Sequence, residues 1–330
     1  MNKEDTMIFG LTANTELVNE ICGYLNIVPG EIAVRHFADG EIIVEPGETV
    51  RGKNIFLIQS TCRPVTEHLM EVLVALDALK RASAADITCV MPYYGYARQD
   101  RKAKPRQPIT AKLVANLLEA AGADRVIMFD LHAAQIQGFF NCPTDNLTAI
   151  PLMGTYFQKE LNIDAENTVV VSPDHGGTTR ARYLGEMLGC PIAIIDKRRP
   201  RPNAVEVNNV IGEVEGKNCI VVDDICDTGG SLVAGCELLK KYGAKDIYAA
   251  VTHPIFSGDA AHKIQNSCIK EIVVTNTIPL EDSFLEVCDK ARVLSIGRYL
   301  ASIIEAISSH RPVSGVYTEV GKQLVVKGLE

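Results

Sequence analysis

Val221 to Ser231 reads VVDDICDTGGS: an apolar run ends in two adjacent acids and passes into a turn of small residues. Thr228, Gly229, Gly230 and Ser231 expose backbone N–H groups, let the main chain approach closely and open a helix, which together attract a phosphate. Asp223 and Asp224 would repel that phosphate, so they suit the hydroxyls of a sugar or a bound metal. A strand, a turn and an N-capping Ser231 would explain the glycines and the serine. That plain reading leaves the paired acids without a purpose, and a phosphorylated ribose accounts for both features.

A second turn of this kind is SPDHGGTTR, after the apolar run Val169 to Val171. Asp174 offers a carboxylate where Gly176, Gly177, Thr178 and Thr179 offer amides, a set fit for a pyrophosphate whose charge a metal shares. A capped turn with a chance aspartate is the alternative. Two basic clusters break an otherwise acidic chain: RQDRKAKPR from Arg98 to Arg106 and DKRRPR from Asp196 to Arg201. Each reads as a solvated loop, as a localisation or nucleic-acid patch, or as phosphate ligands. Their position after strands favours phosphate, because ligands of parallel sheets gather at strand carboxyl ends. His132, in DLHAAQIQGFF, also follows a strand and is open to a structural or a functional role. HFADGEI, from His36 to Ile42, reads as a hairpin turning at Asp39-Gly40; alternatively Phe37 stacks a base while Asp39 or Glu41 accepts from its amino group.

Composition narrows the field. A net charge of -8 argues against general affinity for nucleic acid or an anionic membrane. The ten cysteines include no C-x-x-C pair, so neither a zinc site nor a redox dithiol is expected, and they read as reduced residues of a cytoplasmic protein. No run approaches the roughly 18 apolar residues of a membrane span, and MNKEDTMIFG has acids where a signal peptide needs bases.

The 330 residues suit two domains of roughly 150 residues each. Short β-rich runs alternate with segments of helical period, the pattern of an α/β fold with mainly parallel sheets. Strands are expected at Met7 to Leu11, Ile55 to Gln59, Ile87 to Met91, Val126 to Phe129, Val169 to Val171, Ile192 to Ile195, Ile220 to Val222, Ile247 to Val251 and Ile272 to Thr275. Leu69, Val72, Leu73, Leu76 and Leu79 mark one buried helix face, and Leu113, Val114, Leu117 and Leu118 a second. Further helices are expected at Ala181 to Leu188, Leu232 to Tyr242 and Arg298 to Ile307. The halves are expected at 1–150 and 151–307, with the tail, about 308–330, packing back on the first domain, where it could return a short strand.

HFADGEI, PYYGYARQDRK, DLHAAQIQGFF, SPDHGG, DKRRPRPN and VVDDICDTGGS, in this order from about Met7 to Pro312, resemble the motif set of the ribose-phosphate pyrophosphokinases, most of all the bacterial, phosphate-activated class. The resemblance implies two phosphoribosyltransferase-like domains, each a mainly parallel sheet flanked by helices. It also implies transfer of the β,γ-diphosphoryl group of ATP to the C1 hydroxyl of ribose 5-phosphate, leaving AMP. Carried over by position, Asp227, Thr228, Gly229, Gly230 and Ser231 would hold the 5-phosphate, and Asp223 and Asp224 the ribose hydroxyls. Lys197 and Arg199 would be catalytic on a mobile loop, with Arg199 also near the sugar phosphate. Arg98 and Gln99 would hold ATP, with Phe37, Asp39, Gly40 and Glu41 forming an adenine site lent to a neighbouring subunit. His132 and Asp174 would be the Mg2+ positions, with two ions per site, and inorganic phosphate an activator. Arg51, Gln137, Asp145 and Ser314 would correspond to the effector site. The family assembles as a homohexamer. The tail GVYTEVGKQLVVKGLE departs from the family's usual short close, with Tyr317 where phenylalanine is common. A phosphoribosyltransferase shares the ribose-phosphate loop, but the full N-terminal half with RQDRK disfavours it; a catalytically silent regulatory subunit would lack Lys197, Arg199 or His132, and all three are present.

Overall fold

The computed structural model describes residues 5–198, 207–317 and 319–327. The chain forms two compact units: one runs through Thr148 and adds Thr277–Pro279 and Ile296–Gln323, the other comprises Ala149–Asn276, Leu280–Ser295 and the chain from Leu324 on.

In the first unit the elements are β1 (Thr6–Gly10), α1 (Thr15–Leu25), β2 (Ile32–His36), β3 (Ile42–Pro46), β4 (Asn54–Ile58), α2 (Val65–Arg81), β5 (Asp86–Met91), α3 (Thr110–Ala121), β6 (Arg125–Phe129) and β7 (Thr144–Leu147). The sheet order is β1-β4-β5-β6-β7, every pair parallel, and β2 with β3 forms a separate antiparallel hairpin. Ile55, Phe56, Leu57 and Ile58 are all buried, as an unbroken apolar run must be in a strand covered on both faces. Helix α2 buries Val72, Ala75, Leu76 and Leu79 and leaves Met70 exposed, as its period requires. Helix α3 corrects one expectation. Val114 and Leu118 are buried, but Leu113 and Leu117 are 53% and 39% exposed. Ile109, Leu113 and Leu117 recur every fourth residue along a second, outward stripe, which four-residue spacing alone cannot tell from the core-facing one.

The second unit and the segments after it contain α4 (Ile150–Lys159), β8 (Thr168–Ser172), α5 (Thr178–Leu188), β9 (Ile192–Arg198), β10 (Val207–Ile211), β11 (Asn218–Cys226), α6 (Gly230–Lys241), β12 (Ile247–Pro254), α7 (Ala260–Gln265), β13 (Ile269–Thr275), α8 (Asp282–Val287), β14 (Ala291–Leu294), α9 (Gly297–Ser308) and α10 (Ser314–Tyr317). The sheet order is β10-β9-β8-β11-β12-β13-β14, with β10 antiparallel to β9 and the other pairs parallel. From β8 the chain steps outward to β9 on one side; from β11 it steps outward through β12 on the other. The gap between β8 and β11 is therefore the topological switch point, where open α/β sheets place their ligands.

Each expected strand is present, with bounds shifted by at most four residues. The largest shift extends β11 to Cys226, so the paired acids lie inside the strand rather than after it. Strands β7, β10 and β14 are too short or too polar to stand out in the sequence. Helix α9 counts with the first unit, where it packs on α1. The tail is divided: α10 counts with the first unit, while Val326 bridges Leu294 of β14 in the second.

Candidate active site

Two loops flank the switch point of the second sheet. The first follows β8. Its Asp174 is exposed and accepts a hydrogen bond from the Gly177 N–H at 3.0 Å through one carboxylate oxygen, which leaves the other oxygen for a ligand. Gly177 is buried, and an added Cβ would lie 2.8 Å from Ser172 Oγ, so the turn closes only around a glycine. Helix α5 begins at once, aiming its unpaired first-turn amides at the loop.

The second loop follows β11. Pairing of β11 with β8 ends at Val221–Val171, whereas pairing with β12 continues to Cys226–Pro254. Asp223 and Asp224 thus sit on a stretch of strand whose β8 side is open at the switch point. Gly229, at φ 73°, is the residue that caps α6, and Ser231 is the helix's second residue. The simple reading of Ser231 as N-cap is therefore overturned, and the first-turn N–H groups have no side-chain cap from Gly229.

The feature that joins the loops is Arg180 of α5, whose guanidinium lies 3.5 Å from Asp223 and 3.4 Å from Asp224. Asp224 is buried, and its N–H donates to Asp223 Oδ1 at 2.9 Å. Burial, and then the adjacent Asp224 carboxylate, raise the Asp223 carboxyl above the usual carboxylate range, with Arg180 pulling the other way. A carboxyl already facing a guanidinium is a better hydroxyl partner than a cation ligand. The sequence carries Arg180 in SPDHGGTTR; the missing clue was that its helix starts beside the acids.

His175, in the first loop, makes a 3.0 Å contact through Nε2 with the buried Asp196 of β9. Lys197 follows, its backbone opposite Asn208 of β10; the Lys197 side chain and all of Arg199 lie outside the described residues. Residues 195–198 of β9 extend past β8, whose register with β9 ends at Ser172–Ile194, so the strand carries Lys197 out beyond the end of β8.

In the first unit the β2–β3 hairpin turns through five residues. Phe37 exchanges backbone bonds with Glu41 and Gly40, Gly40 takes φ 93°, and Asp39 accepts from the Glu41 N–H at 3.1 Å. The turn is thus wider than the two-residue one read from Asp39-Gly40. Phe37 is 54% exposed. An open groove of about 820 Å³ lies alongside, lined in part by His36, Gly40, Glu41, Thr66 and Glu67. Arg98 and Gln99 are exposed in the loop after β5, where Gln99 accepts from Thr110 at 2.6 Å. Gln135 donates to Asp100 at 3.1 Å, tying that loop to the one after β6, which carries the exposed His132.

The four residues considered for an effector site are spread over the first unit. Arg51 donates to Ser83, Gln137 to the Ala134 carbonyl, and Asp145 accepts from Arg125 at 2.7 Å. Ser314 opens α10. Burial and the charge of Asp145 raise the Tyr317 hydroxyl above its ordinary range, which links the tail aromatic to Asp145.

A parallel-sheet switch point flanked by two glycine-containing loops that run into helix N-termini, with a compensated acid pair beside them, is the arrangement of an α/β protein that handles phosphate esters. Residues 6–122 match the N-terminal domain of ribose phosphate pyrophosphokinase, and residues 200–317 the phosphoribosyl synthetase-associated domain. The chain is 52% identical over 310 residues to a ribose-phosphate pyrophosphokinase of Staphylococcus saprophyticus and 51% identical to that of Staphylococcus aureus, covering 94% of this chain and 96% of each relative. The crystal structure of phosphoribosylpyrophosphate synthetase from Mycobacterium smegmatis superposes with a TM-score of 0.87 at 40% identity, over 93% of this chain and 99% of that one. The chain belongs to the ribose-phosphate pyrophosphokinase family, whose reaction is the diphosphoryl transfer expected from its motifs.

Proposed function

We propose that the protein transfers the β,γ-diphosphoryl group of ATP to the C1 hydroxyl of ribose 5-phosphate, giving 5-phosphoribosyl 1-pyrophosphate and AMP. The observation that carries this reading is the pair of anion loops on β8 and β11 joined through Arg180 to Asp223 and Asp224. Asp227, Thr228, Gly229, Gly230 and Ser231 hold the 5-phosphate, with the amides of the α6 N-terminus as donors. Asp223 and Asp224 bind the ribose hydroxyls and so fix the direction of the anomeric oxygen. That hydroxyl oxygen attacks the β-phosphorus and gives up its proton to solvent, its new O–P bond forming as the bond from that phosphorus to the AMP oxygen breaks. Lys197 and Arg199 stabilise the charge on the transferring group. Arg98 and Gln99 hold ATP; Phe37, Asp39, Gly40 and Glu41 receive the adenine, and the 54% exposure of Phe37 leaves its face available to a nucleotide bound by a neighbouring subunit.

Mg2+, two ions per site, is the expected cofactor. Among the described residues no group of three or more His, Cys, Asp or Glu side chains could enclose a metal. In this proposal the ion is held by one or two side chains, with water and substrate phosphates completing its shell. Asp174, with one oxygen uncommitted, suits that role directly, and His132 through water. When bound, the ion neutralises phosphate charge. Inorganic phosphate is the proposed activator, with Arg51, Gln137, Asp145 and Ser314 at the effector site. Self-association to a homohexamer belongs to the same proposal, and the uncovered apolar stripe of Ile109, Leu113 and Leu117 offers a surface for self-association of some kind. A cytoplasmic location accompanies the reading, and no helix among the described residues is long and apolar enough to cross a membrane.

The test is a product assay with ribose 5-phosphate, ATP and Mg2+ in phosphate buffer. AMP and a pyrophosphorylated sugar form in equal amounts; ADP in place of AMP would overturn the mechanism. Lys197→Ala is expected to cut turnover by orders of magnitude with little change in stability.

A further inference from the structure

Three successive carbonyls, one on the last residue of β11 and two in the loop after it, accept hydrogen bonds from one short segment. The Phe256 N–H donates to Cys226 O at 3.1 Å, the Ser257 N–H to Asp227 O at 2.9 Å, and Lys263 Nζ to Thr228 O at 3.2 Å. Peptide geometry couples the two faces: when consecutive carbonyls are drawn to one side, the oxygens that would repel an anion are turned away and neutralised, as in anion-binding nests. The Lys263 ammonium adds a positive charge behind the loop. Gly229 is seated on α7 as well, its Cβ position 3.7 Å from Ala260 Cα and from Ile264 Cγ1.

The segment is itself braced at a cost. Phe256 takes φ 46°, a left-handed conformation that a bulky aromatic rarely adopts. Its ring stacks on Phe284 of α8 with centroids 4.3 Å apart and planes 5° from parallel, and Phe284 is 93% buried, being 7% exposed. The stack offsets the strain and locks the main chain at Phe256 and Ser257, whose N–H groups make the first two bonds.

We infer that Phe256 is a positioning residue for ribose 5-phosphate, acting through the carbonyls of Cys226 and Asp227, with Lys263 completing the buttress at Thr228. This rests on the assignment of residues 227–231 to the 5-phosphate. In this reading the buttress residues act through the loop carbonyls and not on the sugar. Their effect is on how strongly the loop binds its phosphate, not on the transfer step.

The experiment compares KM and kcat for both substrates, with melting temperatures, in Phe256→Ala, Phe256→Tyr, Lys263→Met and Ser231→Ala. For Phe256→Ala the KM for ribose 5-phosphate is expected to rise about tenfold, the loss of roughly one hydrogen bond's worth of loop order. The KM for ATP and the kcat stay within about twofold, and Phe256→Tyr restores the wild-type KM. Lys263→Met, a change at an exposed side chain, raises the same KM by a few-fold and carries the test if Phe256→Ala does not fold. If Ser231→Ala raises the KM for ribose 5-phosphate while the folded Phe256 and Lys263 variants do not, the buttress is overturned and the loop assignment stands. If none of the variants moves that KM, the loop assignment falls with it. A rise shared equally with ATP would mark a general structural role and also overturn the proposal.

Discussion

The Arg180 guanidinium stands 3.4 Å from the buried Asp224 carboxylate, and the same group reaches Asp223. One cation at the start of α5 thus faces two carboxyl groups on β11, across the switch point between the loops. Breaking a fully buried pair costs roughly 3–5 kcal/mol. The Asp223 side chain keeps 32% of its exposure, so Arg180→Met is expected to cost less, about 1–2 kcal/mol in urea unfolding. The same variant should bind ribose 5-phosphate more weakly. Unchanged stability would mean that water, not Arg180, compensates the acids.

The raised Asp223 carboxyl sets a pH signature. Its neutral form is favoured in the folded chain, so its contribution is fully present below the unfolded value of about 3.9 and is lost as pH rises through the raised folded value. Asp223→Asn has no such loss. The melting temperature of the variant relative to wild type should therefore climb as pH rises from about 4 to about 8 and level off above that, while the variant turns over more slowly than wild type. A difference that stays flat with pH would show that Asp223 is not perturbed.

Phe37 lies at an exposed hairpin tip, so Phe37→Ala should leave stability within about 0.5 kcal/mol. Base–aromatic stacking is worth roughly 1–3 kcal/mol. The KM for ATP is accordingly expected to rise by about tenfold or more, with the KM for ribose 5-phosphate unmoved. Steady-state kinetics with each substrate varied in turn decides it.

Burial raises Cys22 and Cys62 to about 11 and Cys89 to about 12, and all ten cysteines are free, eight of them buried. Thiolate is the reactive form, so a thiol reagent at pH 8 should label the native chain slowly and all ten sites after unfolding. Fast labelling of several thiols in the native state would contradict the burial pattern.

Much of this was legible in the sequence because the decisive signals are local. Runs such as Ile55 to Ile58 admit only a covered strand, and VVDDICDTGGS announces strand, acids, turn and helix in order. What escaped depends on neighbours distant along the chain. Arg180 gains meaning only from sheet order, since β8 and β11 are adjacent while the residues between them build β9 and β10. The outward turn of Leu113 and Leu117 depends on which side of α3 meets the sheet. The alternative of Ser231 as a plain N-cap fell because Gly229 caps the helix two residues ahead of it.

Helix α9 has a consequence for how the chain is made. It packs on α1, and Tyr299 meets Phe129 edge to face at 5.6 Å, so the first unit draws part of its core from residues beyond Gly297. During synthesis β1 to β7 leave the ribosome well before that helix exists, and the nascent chain must carry an unfinished apolar surface until α9 has been made. Premature termination anywhere before α9 would release a fragment with that surface bare, a substrate for chaperones and proteases rather than a half-enzyme.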